Sequence, residues 1–525
     1  MNLVSKKLAS NSQKPQSSRA NAAILGAYLT SCVSGPSSTG AVGNMLVNTT
    51  FPPNEPALGW SNFTSVRSEA ARLNLAALQA QVAAIARSSE WGDEIIARFD
   101  KLVRELSVGT HLFASLADDV GKLTVLLDLI TRSPRLTATI ATRPDLFDLL
   151  VSRRRAIDGL SIAEVVQLIR DLKLLCESKA EYLQRIQQFN RTHHFLISAR
   201  LVMGWMPIHY AEEAYSKLAF ATVQALAGLA EQRFRARHGR VPGAEWALVA
   251  LGKFGGFELT ATSDLDLMLV YDSAEGSCSS DGARPLSSTQ YFNQLAQSII
   301  RVLQTADREG PLFDVDFRLR PWGSKGPIAT RLPTLRDYLR QESWTYEHMA
   351  MTRARVIMGP PSISAAVEDA LRAALRLSAE RPSLRDDIRE MHALMHSAKE
   401  TDNPWHIKSV RGGLTDVEFV TQYLLLCHAG VRSNIIQSNT STALFGLLCA
   451  DLLRAGDFNV LSGALSFFKS IMQVMRAAGW SEASPDDFAR YLCEAVGERS
   501  LGAVETKLRV MQSSVLDTFG RLIGR

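Results

Sequence analysis

Asp264 and Asp266 stand two residues apart at the head of an apolar run, LDLMLVY over 265–271. In an extended strand alternate side chains point the same way, so both carboxylates face one side and Leu265 and Leu267 the other. Two carboxylates so placed can share a hard divalent cation, and Mg2+ in such a site keeps phosphate oxygens as further ligands. A second run, LFDVDFRLRP over 312–321, alternates in the same manner and reads as a half-buried strand. Asp314, Asp316, Arg318 and Arg320 would share one of its faces, with Val315, Phe317 and Leu319 on the other. If the two strands are neighbours, Asp316 brings a third carboxylate and two guanidiniums extend the row. Arginine grips phosphate oxygens in bidentate fashion, and metal ions neutralise charge developing on a transferred phosphoryl group. Upstream, Lys253 precedes Gly255-Gly256. A glycine pair lets backbone approach an anion closely, so that its N–H groups can cradle phosphate. The stretch is neither a Walker A loop nor a GxGxxG fingerprint.

Each part has an ordinary alternative. Gly-Gly after a strand is usually a turn, and Asp-x-Asp is often a solvated strand edge. Alternating Asp and Arg can be surface ion pairs worth ~0–1 kcal/mol each. The elements that must position these residues decide between the readings. WALVAL over 246–251 is a short apolar run bounded by turn signals, as for a buried strand. After the 265–271 run and a polar loop, Phe292, Leu295, Ala296, Ile299, Ile300 and Leu303 fall on one helical face. The order is strand, Gly-Gly, Asp-x-Asp strand, helix, Asp strand. It resembles the layout of the nucleotidyltransferase superfamily shared with DNA polymerase beta.

Around this mixed segment the chain reads as helical. The fold class expected is α+β and mostly helical: a small mixed sheet with helices, flanked by helical domains. Residues 1–60, rich in Ser, Asn, Thr, Gly and Pro, read as a disordered segment. A helical linker domain is expected over 61–210, the nucleotidyltransferase domain over 211–358, and a C-terminal helical domain over 359–525. Ser133-Pro134 and Arg143-Pro144 mark helix boundaries. There is no second glycine-pair plus Asp-x-Asp cluster.

With 525 residues the chain can hold two to four domains. A net charge of +5 and no lysine-arginine block argue against nucleic acid as partner. No apolar run reaches the length of a membrane span. Six scattered cysteines without a CxxC pair fit free thiols in a reducing cytoplasm. Leu29-Thr30-Ser31-Cys32 has the form of a lipoprotein cleavage box. The apolar stretch before it is short, starts late and is broken by Gly26, so a chance match in a disordered tail is the reading taken.

Four blocks narrow the superfamily: LGKFGGFELTATSDLDLMLVYD, VDFRLRPWGSKGPIAT (315–330), SWTYEHMAMTRARVIMG (343–359) and IKSVRGGLTDVEFVTQYLLL (407–426). In this order they resemble the glutamine synthetase adenylyltransferase family. KFGGFEL, WTYEH and GGLTDVEFVTQY are similar to that family's C-terminal, adenylylating half. Family members usually carry a second, adenylyl-removing domain, so the resemblance implies that this chain adds AMP and alone does not remove it. It also implies a separate removing half and PII signal proteins as partners beside glutamine synthetase. ATP would be the substrate, with Mg2+. Carried over, Asp264, Asp266 and Asp316 match the metal-binding and catalytic carboxylates. Gly255 and Gly256 match the phosphate-approach glycines, with Ser263 beside the acids. Asp316 would accept the hydroxyl proton, and Arg318, Arg320 and Lys325 would hold the triphosphate.

Weaker candidates surround this set. Glu347 and Arg355 can be catalytic or a buried ion-pair brace. His348, with no second His at i+4, reads as a hydrogen-bonded packing residue. Thr415-x-x-Glu418 has the form of a capping box, while the family pattern places Asp416 and Glu418 toward the site. Lys408 reaches a phosphate or merely solvates, and Lys253 stands beside the glycines.

Overall fold

The computed structural model describes residues 69–524 except 90, 107–109, 153–156, 274–278, 308–309, 399–400, 433–434 and 482–487. The expected disordered segment and the lipoprotein-like box lie outside these residues. Helices dominate, and a small sheet with a separate two-stranded ribbon interrupts them between residues 245 and 358. Before it come short helices, then α1 (Lys179–Val202) and α2 (Ile208–His238). Ser133 ends one of the short helices and caps the next, its hydroxyl accepting from Leu136 N–H, with Pro134 in the first turn. That is the boundary its sequence signals.

The sheet is built on β1 (Glu245–Ala250) and β2 (Leu265–Asp272), paired antiparallel. They are joined through a one-turn helix, α3 (Gly252–Gly255). β2 takes the centre because its run is apolar on both faces: Leu265 and Leu267–Tyr271 are buried and only Asp266 and Asp272 are half-buried. Beyond β2, helix α4 (Ser288–Leu303) buries Tyr291, Phe292, Leu295, Ala296, Ile299, Val302 and Leu303, the face its 3.6-residue spacing predicts. A small ribbon follows, β3 (Ala306–Asp307) with β4 (Gly310–Pro311). Then come β5 (Val315–Asp316), β6 (Ala329–Arg331), helix α5 (Thr345–Met351) and β7 (Arg355–Met358). β5 and β6 both pair parallel with β2, and β7 pairs antiparallel with the other edge of β1.

The 312–321 run corrects one expectation: only Val315–Asp316 is strand. Past Asp316 the chain folds back on itself. The Arg320 guanidinium is buried and donates to the carbonyls of Phe317, Gly326 and Pro327. This closes a compact loop where the sequence alternation continues as if extended.

The C-terminal region holds α6 (Leu384–Ala398), α7 (Leu414–His428), α8 (Thr440–Cys449), α9 (Ala455–Ala478) and α10 (Leu501–Leu522). Buried apolar residues from Leu75 to Ile523 form one continuous cluster, so these helices share a core with the sheet. No helix among the described residues is long and apolar enough to cross a membrane.

His348 is a fully enclosed polar residue, as expected of a packing histidine. It sits between Ser343 and Ser378, beside Arg381. Burial, then the Arg381 charge, lowers its pKa to about 4. His194 is lowered to about 3 by burial and then by Arg135. Folded, both stay neutral where the unfolded chain already binds protons. Their contribution is therefore lost as pH falls from about 6.5 toward 4, on the order of 2–3 kcal/mol for His348. Melting temperature should drop steeply between pH 7 and 5. A His348→Gln variant should show a shallower pH slope, whatever its stability at pH 7.

Candidate active site

Parallel pairing of β2 with β5 puts Asp266 directly opposite Asp316. Leu265 N–H donates to the carbonyl of Asp314 at 2.8 Å, which locks the register. Asp264, one pleat back on the same face as Asp266, is exposed. Burial and the charges of Asp264 and Asp316 push the Asp266 carboxyl up to about 6, offset in part by Lys408 and Arg318. A carboxylate raised by burial and then by its acidic neighbours sits where a nearby positive charge would stabilise it. The donors are all hard oxygens, which fits a divalent cation of the magnesium type.

Asp316 is held below the usual carboxylate range, chiefly by hydrogen bonds from Arg318. The Arg318 backbone N–H donates to Oδ1 at 2.7 Å, and its guanidinium Nε and Nη2 donate to Oδ2 at 2.8 and 2.6 Å. Arg318 itself is 79% exposed, so it is free to move to a phosphate. Among the described residues the ligand atoms of the three acids lie further apart than 4.8 Å, unlike those of a histidine cluster described below.

The glycines divide differently from their sequence reading. The amides of Gly255 and Gly256 are spent inside the turn, donating to the carbonyls of Leu251 (2.8 Å) and Gly252 (3.1 Å). They cannot also cradle phosphate. Any side chain at Gly255 would strike the carbonyls of Arg353 and Ala250, so its role is close packing. The glycine that approaches the acids is Gly252, at φ +52, where a Cβ would collide with the Asp266 carboxylate. The amides of α3's first turn have no intrahelical acceptor. Gly252 was open to sequence reading as the first glycine after the strand. Ser263 closes the turn before the acids, its hydroxyl accepting from Thr260 N–H at 2.9 Å.

Arg320, expected at the triphosphate, is the buried loop brace already described. Lys325 is exposed on the next turn. This separates the two arginines. Arg318→Ala should lower nucleotidyl transfer at least ~10-fold with little change in melting. Arg320→Ala should instead cost about 2–4 kcal/mol of stability, because three carbonyls lose a buried charged donor. Urea melts and initial rates on both variants check the split.

Glu347 and Arg355 form no ion pair. Glu347 accepts from the Tyr338 hydroxyl (2.8 and 2.9 Å) and from Trp344 N–H (2.9 Å). Arg355 donates to the carbonyls of Phe254 and Gly255 at 3.2 Å and stacks on the Phe257 ring at 3.7 Å. Arg355 therefore props the glycine turn from behind. The expected capping box at Thr415 is also absent. Gly413 is the N-cap of α7, and Thr415, already inside the helix, donates to the Lys408 carbonyl at 2.5 Å.

Residues from α7 and α9 complete the surroundings: Glu418 of α7 is among the sequence candidates, whereas Lys469 and Arg476 of α9 are not. Lys253 has its pKa lowered to about 8 by burial and then by Arg476, with Glu418 opposing and Lys408 adding. Arg353 is buried between Glu258 and Glu418, 2.9 Å from the latter. Lys469 spans Glu258 (2.8 Å) and Glu212 (3.0 Å). Glu418 thus belongs to a network behind the glycine turn, while Asp416 points elsewhere, to two histidines.

Comparison with known proteins bears on the same residues. A family model described as glutamate-ammonia ligase adenylyltransferase matches residues 123–370, which contain all three acids and the glycine turn. Over these residues the chain is similar to the glutamate-ammonia ligase adenylyltransferase family. The bifunctional glutamine synthetase adenylyltransferase/adenylyl-removing enzyme of Rhodopseudomonas palustris is 34% identical over 440 residues. That covers 83% of this chain and 44% of the relative. The enzymes of the same name from Xanthobacter autotrophicus and Rhizobium meliloti are 34% and 32% identical, over 86% and 88% of this chain and 47% of each relative. The chain spans a little under half the length of these adenylyltransferase relatives.

Proposed function

We propose that the chain transfers AMP from ATP to a tyrosine hydroxyl of glutamine synthetase, releasing pyrophosphate. The observation that carries this reading is the registered pair Asp266–Asp316, with Asp264 beside it and Gly252 pressed against it. The family and its relatives' names supply the acceptor. The small mixed sheet and its order of acids support reading this part as a polymerase beta-like nucleotidyltransferase domain, and the KFGGFEL and GGLTDVEFVTQY words support the adenylylating direction.

In this proposal Asp264, Asp266 and Asp316 would hold a divalent cation, Mg2+, which when bound would neutralise charge on the transferred phosphate and the leaving pyrophosphate. The chain's own residues do the rest. The turn at Gly252 lets the triphosphate lie against backbone amides, with Lys253 and Lys408 close by. Arg318 leaves Asp316 for the phosphates. That frees Asp316 to take the hydroxyl proton as the tyrosine oxygen bonds to the α-phosphorus and the bond to the bridging oxygen breaks. Placement and charge stabilisation account for catalysis of this kind. Trp322, Trp344 and Tyr346 stand exposed around the Tyr338–Glu347 pair, as suits docking a folded protein acceptor. The activity would serve control of nitrogen assimilation.

The test uses purified chain, Mg2+, ATP labelled in its α-phosphate, and unmodified glutamine synthetase. Label should enter glutamine synthetase and be absent from a version whose target tyrosine is phenylalanine. Transfer to a nucleic-acid end or small-molecule hydroxyl in preference would overturn the assignment of acceptor.

A further inference from the structure

We propose that His392, His396 and Asp416 form a second metal site, for a first-row divalent transition-metal ion rather than magnesium. His392 and His396 lie four residues apart on one face of α6, and Asp416 sits in the first turn of α7. Both Nε2 atoms are 2.9 Å from the same oxygen, Asp416 Oδ1, and 3.0 Å from each other. Three donor atoms at that spacing match neighbouring positions around one ion with bonds of ~2.1 Å, which are roughly 3 Å apart. Two imidazoles and one carboxylate on one side of an ion are a donor set for iron, zinc or cobalt.

Hydrogen bonding alone serves these three groups poorly. If both Nε2 atoms carry protons, the two hydrogens converge on one oxygen across a 3.0 Å gap. If one does not, its lone pair faces either a carboxylate oxygen or the other ring. A single cation satisfies all three lone pairs at once. The surroundings are those of a built site. Asp416 is fully buried, and its Oδ2 accepts from Gly412 N–H at 2.7 Å. The His392 ring is stacked on Phe519 of α10 at 4.1 Å. Such fixing of ligands by their outer partners is usual around bound metals. His392 also borders a cleft lined by Asp386, Arg389, Arg411 and Asp517, where further ligands can reach the ion.

Occupancy would clamp α6 to the start of α7. That start carries Thr415, bonded to Lys408, and Glu418, paired with Arg353. The second site therefore steadies the segment that brings Lys408 toward the acidic centre. Nothing in this inference depends on the acceptor proposed above.

The experiment uses the full chain with Asp264→Asn and Asp266→Asn, so that the acidic centre contributes little metal binding. After chelator treatment it is titrated with Zn2+ against a chromophoric chelator, and with Co2+ by visible absorption. One equivalent should bind with micromolar or tighter affinity and raise the melting temperature. His392→Gln or His396→Gln should weaken binding at least ~10-fold. Circular dichroism confirms that each variant is folded. Zinc-edge X-ray absorption of the loaded parent needs no further variant, and should show two imidazole ligands. No saturable equivalent, unchanged binding in both histidine variants, or a spectrum without imidazole would overturn the proposal and leave a hydrogen-bonded cluster only.

Discussion

Replacing Asp266 with asparagine should cut AMP transfer by ~10^3-fold or more while leaving the protein as stable as before, or more so. The rate loss follows from removing a charged oxygen at the centre of the acidic face, where charge neutralisation is the main catalytic contribution. The stability effect follows from the raised carboxyl of Asp266, about 6. A carboxyl whose folded pKa lies above its unfolded value costs stability at neutral pH. The cost fades as pH falls through 6 toward 3.8. Asparagine removes it, a gain on the order of 1–3 kcal/mol in the absence of metal. Labelling rates and urea melts at pH 7.5 without divalent ions give both numbers. A variant that labels at the wild-type rate, or that melts well below it, would show that these acids are structural.

The largest loss of stability is expected at Arg353, outside the acidic centre. Its guanidinium is 8% exposed and joins Glu258, 2% exposed, to Glu418. Arg353→Met removes the hydrogen-bond partner of Glu418, leaving it the charges of Lys253 and Lys469, and leaves Glu258 with Lys469 and the amide and hydroxyl of Thr440. Breaking one partner out of a buried ionic group typically costs about 3–5 kcal/mol. The same substitution made together with Glu418→Gln should recover part of that loss, because the Glu418 charge is gone. Denaturant melts of the two variants measure the coupling. A loss under about 1 kcal/mol in the single variant would falsify the network's structural role.

How far the sequence revealed these parts depends on the range of the interactions that set them. The apolar run of β2, the 3.6-residue face of α4 and the Ser133-Pro134 boundary are local, and each appears where its pattern places it. The pairing of Asp266 with Asp316 was legible as a condition, since two acid-bearing runs make a common face only if they are adjacent. The fold-back after Asp316 was not. Its alternation mimics a strand, and the Arg320 contacts to Gly326 and Pro327 that end it leave no periodic trace. Arg353 illustrates the same limit at greater distance, with partners 65 and 95 residues away. Glu347 and Arg355 share a helical spacing in the sequence. They part because α5 ends at Met351 and Arg355 begins a strand.

The ties behind the glycine turn bear on how this protein can be dissected. Asn439 donates to the Gly256 carbonyl, Thr440 to Glu258 and Gln473 to the Leu259 carbonyl. Every one of these donors lies beyond residue 358, on the far side of the sheet's last strand. Truncation after the sheet would strip the wall from the very turn that faces the acids, leaving Arg353 and Glu258 open to water. The sheet-bearing fragment is therefore not expected to be portable by itself. A fusion or minimal expression version has to carry the chain at least through α9, and one stopping near residue 360 would be expected to aggregate rather than to work slowly.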